Sequence, residues 1–261
     1  MKTNKLSTYQ TEREELLKQL TVFLQSDSRI VAAWLFGSLG RNDADELSDV
    51  DIWVIVADPY LQEIVEQRRQ FVSKVNEPIF FVEAPQNAPQ DGGYLMAYYD
   101  GPTGPHQVDW YWQPQSSTYI PPETVVLFDR IGLPRRDQPI EFPEREPVKE
   151  IVENPLHFIS FFWAMLLITA KYVVRKPQSK EMTLLPYVLH PFHKTQRLVG
   201  QKPTAYLAPQ TTRQEKLSIL RRLADEMCGL MPQVAARGFA VPDTASTAVY
   251  KFLDLVDEVL A

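Results

Sequence analysis

The chain has 261 residues, 44% of them apolar and 11% aromatic, enough to bury a sizeable core in one large domain or two smaller ones. Its 33 acidic and 27 basic residues leave a formal net charge of -6, which disfavours a phosphate-neutralising nucleic-acid binder and suits a cationic small partner. A single cysteine, Cys228, rules out a disulfide framework within the chain and points to a reducing, cytoplasmic setting.

The opening segment, MKTNKLSTYQTEREELLKQL, lacks the apolar run of a secretory signal. Leu16, Leu17, Leu20, Phe23 and Leu24 recur at helical spacing and predict a helix over 11–24. IVAAWLF, residues 30–36, is a short apolar run ending at Gly37, the pattern of a buried strand. VDIWVIV, residues 50–56, predicts a second strand closed by Asp58-Pro59. Helical spacing returns over 60–75, and PIFFV, residues 78–82, predicts another strand. A Pro- and Gly-rich loop follows. Residues 94–99 and 107–112 then flank the turn sequence DGPTGPH and predict an antiparallel hairpin. VVLF, residues 125–128, completes five or six strands, so 1–136 is expected to be an α/β domain with a mixed sheet and flanking helices.

Residues 137–147, rich in proline and charge, are expected to be a linker. From 148 to 261 the pattern is helical, with helices expected over 148–175, 180–199, 211–237 and 243–260: an all-α bundle. Thr211-Thr212 followed by Gln214-Glu215 has the form of a capping box, and Gly238 that of a helix stop. LHFISFFWAMLLITAKYVV, residues 156–174, is apolar enough to raise the question of a membrane span. His157, Ser160, Thr169 and Lys171 interrupt it, and a core helix of the bundle is expected instead. Cys228, in a helical segment, is expected to be a small buried apolar group.

The chemistry concentrates in FGSLGRNDADELSDVDIWV, residues 36–54. Asp49 and Asp51, two apart at the start of a strand, point to the same face. Two carboxylates so placed repel one another unless a cation lies between them. Gly37-Ser38 follows the first strand. A glycine there lets a phosphate approach the backbone, the serine hydroxyl is a donor, and Arg41 is a phosphate partner three residues on. On the later hairpin, Asp109 is a lone acid between Val108 and Trp110, which face the other way. Each feature alone fits an ordinary turn or a solvated strand acid; their conjunction is what points to a nucleoside triphosphate held on divalent metal.

This conjunction resembles the DNA polymerase β-like nucleotidyltransferase superfamily: a Gly-Ser turn, an Asp-x-Asp strand and a third acid on a later strand. The two-part layout resembles bacterial aminoglycoside and lincosamide nucleotidyltransferases. The resemblance implies a two-metal transfer of a nucleoside monophosphate, AMP from ATP, to a hydroxyl of a small molecule. Asp49, Asp51 and Asp109 would be the metal ligands and catalytic acids, with two Mg²⁺ ions. Whether Asp109 acts as ligand or as general base stays open. Gly37 and Ser38 would hold the β- and γ-phosphates. Beside the resemblance, Arg41 by its place after the turn, and Lys171 and Arg175, four apart on one face near a helix end, are further nucleotide-binding candidates, the last two also fitting simple cationic charge at a helix C-terminus.

Among the remaining residues, Tyr94, Tyr98, Tyr99, Trp110 and Trp112 are candidates for stacking on a ring, and Glu83 and Asp100 for lining a cationic acceptor pocket. His190 and His193 share a metal-pair spacing, but Pro191 and the lack of neighbouring ligands argue against a metal there. Two other functions compete: a protein-modifying, antitoxin-like adenylyltransferase and a non-catalytic nucleotide sensor. Neither a nucleic-acid nor a membrane partner is expected, and the sequence leaves monomer or homodimer open.

Overall fold

The N-terminal helix α1 (Lys5–Ser26) buries Leu16, Leu20 and Leu24, as its spacing predicts, but starts six residues before the predicted 11–24. In the added turns Tyr9 is buried, an aromatic that an aliphatic pattern does not register. The structure is a computed structural model and describes residues 5–176, 182–205, 212–239 and 244–259.

After α1 come β1 (Ile30–Phe36), the short helix α2 (Gly37–Arg41) and β2 (Val50–Val56). The predicted helix over 60–75 is broken: a 3-10 turn leads into α3 (Leu61–Glu66) and, past Gln67, α4 (Arg68–Ser73). The strands β3 (Phe80–Val82), β4 (Gly93–Tyr99), β5 (His106–Pro114) and β6 (Val125–Asp129) complete a mixed six-stranded sheet of order β3-β4-β5-β2-β1-β6. β4 and β5 form the expected antiparallel hairpin, whereas β2 and β5 run parallel at the centre.

The two faces of this sheet differ. On one, Val50, Ile52, Val54, Val56, Val108, Trp110 and Trp112 are buried against α1, Ile64 of α3 and Phe71 and Val72 of α4. Alternation then sends Asp51, Trp53, Asp109 and Tyr111 to the other face. Here Trp34, Trp53, Tyr111 and Tyr94 are successive register partners across β1, β2, β5 and β4, an aromatic row over four strands. Trp53 stacks on Tyr111 with ring centroids 4.9 Å apart.

The segment expected to be a linker is fastened to this second face. Ile120 pairs with Arg135 in an isolated bridge, the Tyr119 hydroxyl donates to the Pro139 carbonyl at 2.9 Å, and Phe142 packs edge-on against Trp53 and Tyr111. Arg145 donates to the Ala88 carbonyl at 2.7 Å. The chain accordingly divides into two compact units, the first comprising Leu6–Gly101 and His106–Val148, the second built chiefly from Lys149–Ala261.

In the second unit the predicted helix over 148–175 is split. Asn154 caps the N-terminus of α6 (Pro155–Arg175) by accepting from the Leu156 N–H at 2.9 Å, and Pro155 occupies the first helical position, so the preceding turn, α5 (Lys149–Val152), stays separate. α6 packs against α7 (Leu185–Leu198), α8 (Arg213–Ala236) and α9 (Thr244–Val259). It is the one described helix long and apolar enough to cross a membrane, and Ile159, Phe162, Trp163, Leu166 and Ala170 are buried within the unit. The capping box opens α8, with Thr212 and Glu215 satisfying each other's N–H groups; Thr211 lies outside the described residues. Gly238, at φ +88°, follows its end. Cys228 departs from expectation: it is half-buried, with its sulfur 3.9 Å from the Tyr250 hydroxyl, because it sits where α8 meets α9 rather than on the buried stripe of α8.

Candidate active site

The register of the central strands builds the site. Phe36 on β1 is opposite Asp51 on β2, and Asp51 is opposite Asp109 on β5. Gly37 therefore begins its turn beside Asp51. Its φ is +62°, a conformation natural to glycine, and a Cβ there would lie 2.1 Å from an Asp51 carboxylate oxygen. No other residue fits between the turn and the acid. At Gly40 a Cβ would lie 2.4 Å from the Glu123 carbonyl, which holds α2 close to the loop before β6. Ser38 is half-buried, and its hydroxyl makes no hydrogen bond with the described residues.

Asp109 is buried, and both its oxygens accept hydrogen bonds: the Tyr94 hydroxyl donates to Oδ1 at 2.5 Å, and the Gln107 amide donates to Oδ2 at 2.7 Å. Gln107 in turn accepts from the Tyr98 hydroxyl at 3.0 Å. A buried carboxylate without such donors is costly. Burial, reinforced by the charge of Asp109, pushes the Tyr94 hydroxyl well above its ordinary range, so it remains a donor. The Tyr111 hydroxyl is pushed up as well, first by burial and then by the charges of Asp109, Asp51 and Asp49. One hydroxyl thus feels all three acids.

Asp49 precedes β2 at the end of a built turn. The Asp45 carboxylate accepts from the Leu47 N–H and the Ser48 hydroxyl, both at 3.0 Å, and the Ser48 hydroxyl accepts from the Asp45 N–H at 3.0 Å. Arg13 of α1 closes the turn from the other side. Among the described residues, no three His, Cys, Asp or Glu side chains gather at metal-ligand spacing. The register brings Asp51 and Asp109 together, while Asp49 lies outside the strand and the oxygens of Asp109 are engaged by Tyr94 and Gln107. The donors are carboxylate oxygens, which suit a hard divalent cation, and the like charges of Asp51 and Asp109 in adjacent register are a cost that such a cation offsets.

Other residues singled out in the sequence stand elsewhere. Arg41 is exposed and paired with Asp43 at 3.0 Å. In the second unit, Lys171 is buried and Arg175 is exposed at the end of α6. Glu83 is not a vacant acid: Arg68 and Arg69 each reach it at 2.7 Å, neutralising the charge an acceptor pocket would have used. Trp110, Trp112 and Tyr99 lie in the helix-covered core, and the Tyr94 and Tyr98 hydroxyls serve Asp109 and Gln107, so these five rings are packing and positioning groups, not stacking platforms. The His193 imidazole is 3.0 Å from the Thr204 carbonyl.

Residues 18–91 match the family model of the polymerase beta nucleotidyltransferase domain. Over those residues the chain is similar to that domain. The match includes Gly37, Ser38, Asp49 and Asp51 and ends before Asp109, whose link to the domain's acids is the strand register. No curated protein matches the chain. Among solved structures, the STING-associated CdnE c-di-GMP synthase of Capnocytophaga granulosa is similar over 97% of this chain and 81% of its own, at 14% identity and a TM-score of 0.31, a likeness too slight to carry an argument.

Sequence reasoning missed Arg13, Tyr94 as a hydroxyl donor, and Gln107. Gln107 was within reach, because it lies two residues before Asp109 on the same strand face. Tyr94 requires the hairpin register, and Arg13 has no local signal.

Proposed function

We propose that this nucleotidyltransferase transfers a nucleoside monophosphate, with ATP as the expected donor, to a hydroxyl of a small molecule of the aminoglycoside or lincosamide kind, in a cytoplasmic setting. The observation that carries the reading is the Gly37 turn pressed against Asp51, with Asp109 in register beside it. Asp49, Asp51 and Asp109 are the residues that would hold two Mg²⁺ ions, which would supply neutralisation of the triphosphate's charge during transfer. The Gly37 backbone lets the β- and γ-phosphates come close, the Ser38 hydroxyl donates to them, and Arg41 is freed from Asp43 to pair with them. Lys171 and Arg175 are the second unit's candidates for the same task.

The acceptor oxygen forms its bond to the α-phosphorus as the bond to the bridging oxygen of pyrophosphate breaks. The acceptor's proton leaves toward Asp109 or solvent. Asp109 serves this step as a carboxyl group held in place by Tyr94 and Gln107. Catalysis on this reading is mainly positioning and charge neutralisation. The acidic chain, at -6, favours a cationic acceptor.

The test is nucleotide transfer from labelled ATP, with Mg²⁺, to a panel of aminoglycosides and lincosamides. Labelled acceptor, lost in Asp49→Asn, is the expected result. Labelling of protein instead of any small molecule would overturn the acceptor class, and metal-dependent ATP binding without turnover would make the chain a sensor.

A further inference from the structure

Arg13 lies outside the span matched by the nucleotidyltransferase family, on α1, well ahead of all three acids in the chain. It is 4% exposed, yet it is a guanidinium. A buried cation is costly unless its donors are met. Arg13 directs one guanidinium nitrogen at one target, the turn that delivers Asp49: it donates to the Asp45 carbonyl at 2.7 Å and the Ser48 carbonyl at 2.9 Å, with the Glu46 carbonyl at 3.4 Å. The Ser48 carbonyl belongs to the peptide bond that leads into Asp49. The charge of Asp49 also acts on both Arg13 and Tyr9, so the acid stands within electrostatic reach of this helix.

We infer that Arg13 is a positioning residue for Asp49: it locks the 45–48 turn so that the Asp49 carboxylate is presented beside Asp51 before nucleotide arrives. This inference rests on the proposed function. Three contacts to one loop exceed what helix packing alone needs. A methionine or leucine at this position would fill the space without the cost of burying charge. Ser48 is itself buried, and the turn closes on itself through Asp45, so the Arg13 contacts fix a loop already shaped for one conformation. The contacts converge on a single guanidinium nitrogen at the end of the arginine's reach, a position that the shorter, more strongly hydrated lysine ammonium reproduces only in part.

The test uses the full chain, with Mn²⁺ binding followed by electron paramagnetic resonance in the presence of a non-hydrolysable ATP analogue, alongside turnover. Arg13→Lys and Arg13→Met are compared with wild type, and Asp45→Ala loosens the same turn from within. Arg13→Met should weaken Mn²⁺ binding and lower kcat by about 10- to 100-fold, the loss expected for hydrogen bonds to a charged group, with acceptor KM nearly unchanged. Arg13→Lys should recover part of both, and Asp45→Ala should reproduce the defect. Should Arg13→Met fail to fold, Arg13→Lys and Asp45→Ala decide the matter. Wild-type Mn²⁺ affinity and kcat in both, with only thermal stability lowered, would reduce Arg13 to a structural role. Asp49→Asn is the reference: if it keeps activity the proposed function fails, and if it is inactive while the turn variants bind Mn²⁺ normally, only the positioning role fails.

Discussion

The two faces of the central sheet are built by the same strands to different rules. Under α1, α3 and α4 the face is hydrocarbon and indole, with Trp110 and Trp112 stacked 5.8 Å apart and Phe71 edge-on to both. On the opposite face the same strands present Asp51, Asp109, Gln107, Tyr94 and Tyr111. Every buried polar atom there needs a partner, and two acids share a register position. The first face supplies burial energy. The second carries charge repulsion and desolvation that stability alone would not select, which is why it is the face we propose as functional.

This contrast breaks most sharply at Gly37. Gly37→Ala places a methyl 2.1 Å from the Asp51 carboxylate at a φ of +62°. Activity should fall at least ~100-fold, for a stability loss of about 1–3 kcal/mol. Near-wild-type kinetics would show that the turn does not set the Asp51 geometry. On the hydrocarbon face the balance reverses. Trp110→Ala should cost about 3–5 kcal/mol in denaturant unfolding, with remaining activity lost only as the protein unfolds. A mild loss of stability would mean that the two faces are less different than drawn here.

His106 is the exception on the helix-covered side. Its ring stacks on Tyr9 at 4.3 Å, with Nε2 3.4 Å from Glu12, and burial lowers its pKa to about 4. The native state holds this histidine neutral, whereas the unfolded chain protonates it near the ordinary 6.5. The unfolded state therefore binds more protons below that value, and stability falls as pH drops from about 6.5 toward 4, by up to roughly 3 kcal/mol. Thermal melts of wild type and His106→Gln across this window should diverge from parallel, with the variant flatter. Equal slopes would remove His106 as the source.

Tyr94→Phe is the finest probe. It deletes one donor to Asp109 while keeping the ring against Tyr111. A loss of about 1 kcal/mol is expected, with kcat down roughly tenfold and nucleotide KM little moved. A change confined to KM would place Tyr94 in binding rather than in support of Asp109.

Much of this was legible in the chain. Alternation and apolar runs gave the strands, their turn chemistry gave the β4–β5 hairpin, and the Gly-Ser and Asp-x-Asp pattern gave the site's frame. What escaped did so for physical reasons. The 137–147 segment has linker composition, but Phe142 finds an aromatic surface and Arg145 a carbonyl, and neither contact has a periodicity to read. Glu83 has the sequence context of a free acid and is instead claimed by two arginines from a helix break at Gln67. Arg13 looks like one more charge on an amphipathic helix until the turn it holds is folded against it.

The central claim is that the acid-bearing face performs nucleotidyl transfer. The most direct test is pyrophosphate release from ATP, GTP, CTP and UTP with Mg²⁺, with and without each acceptor of the panel, in wild type and Asp51→Asn. The account predicts acceptor-dependent release in wild type and at least ~10³-fold less in Asp51→Asn, whose melting temperature is equal or higher because a like-charge pair is relieved. Release that persists in a folded Asp51→Asn would contradict it.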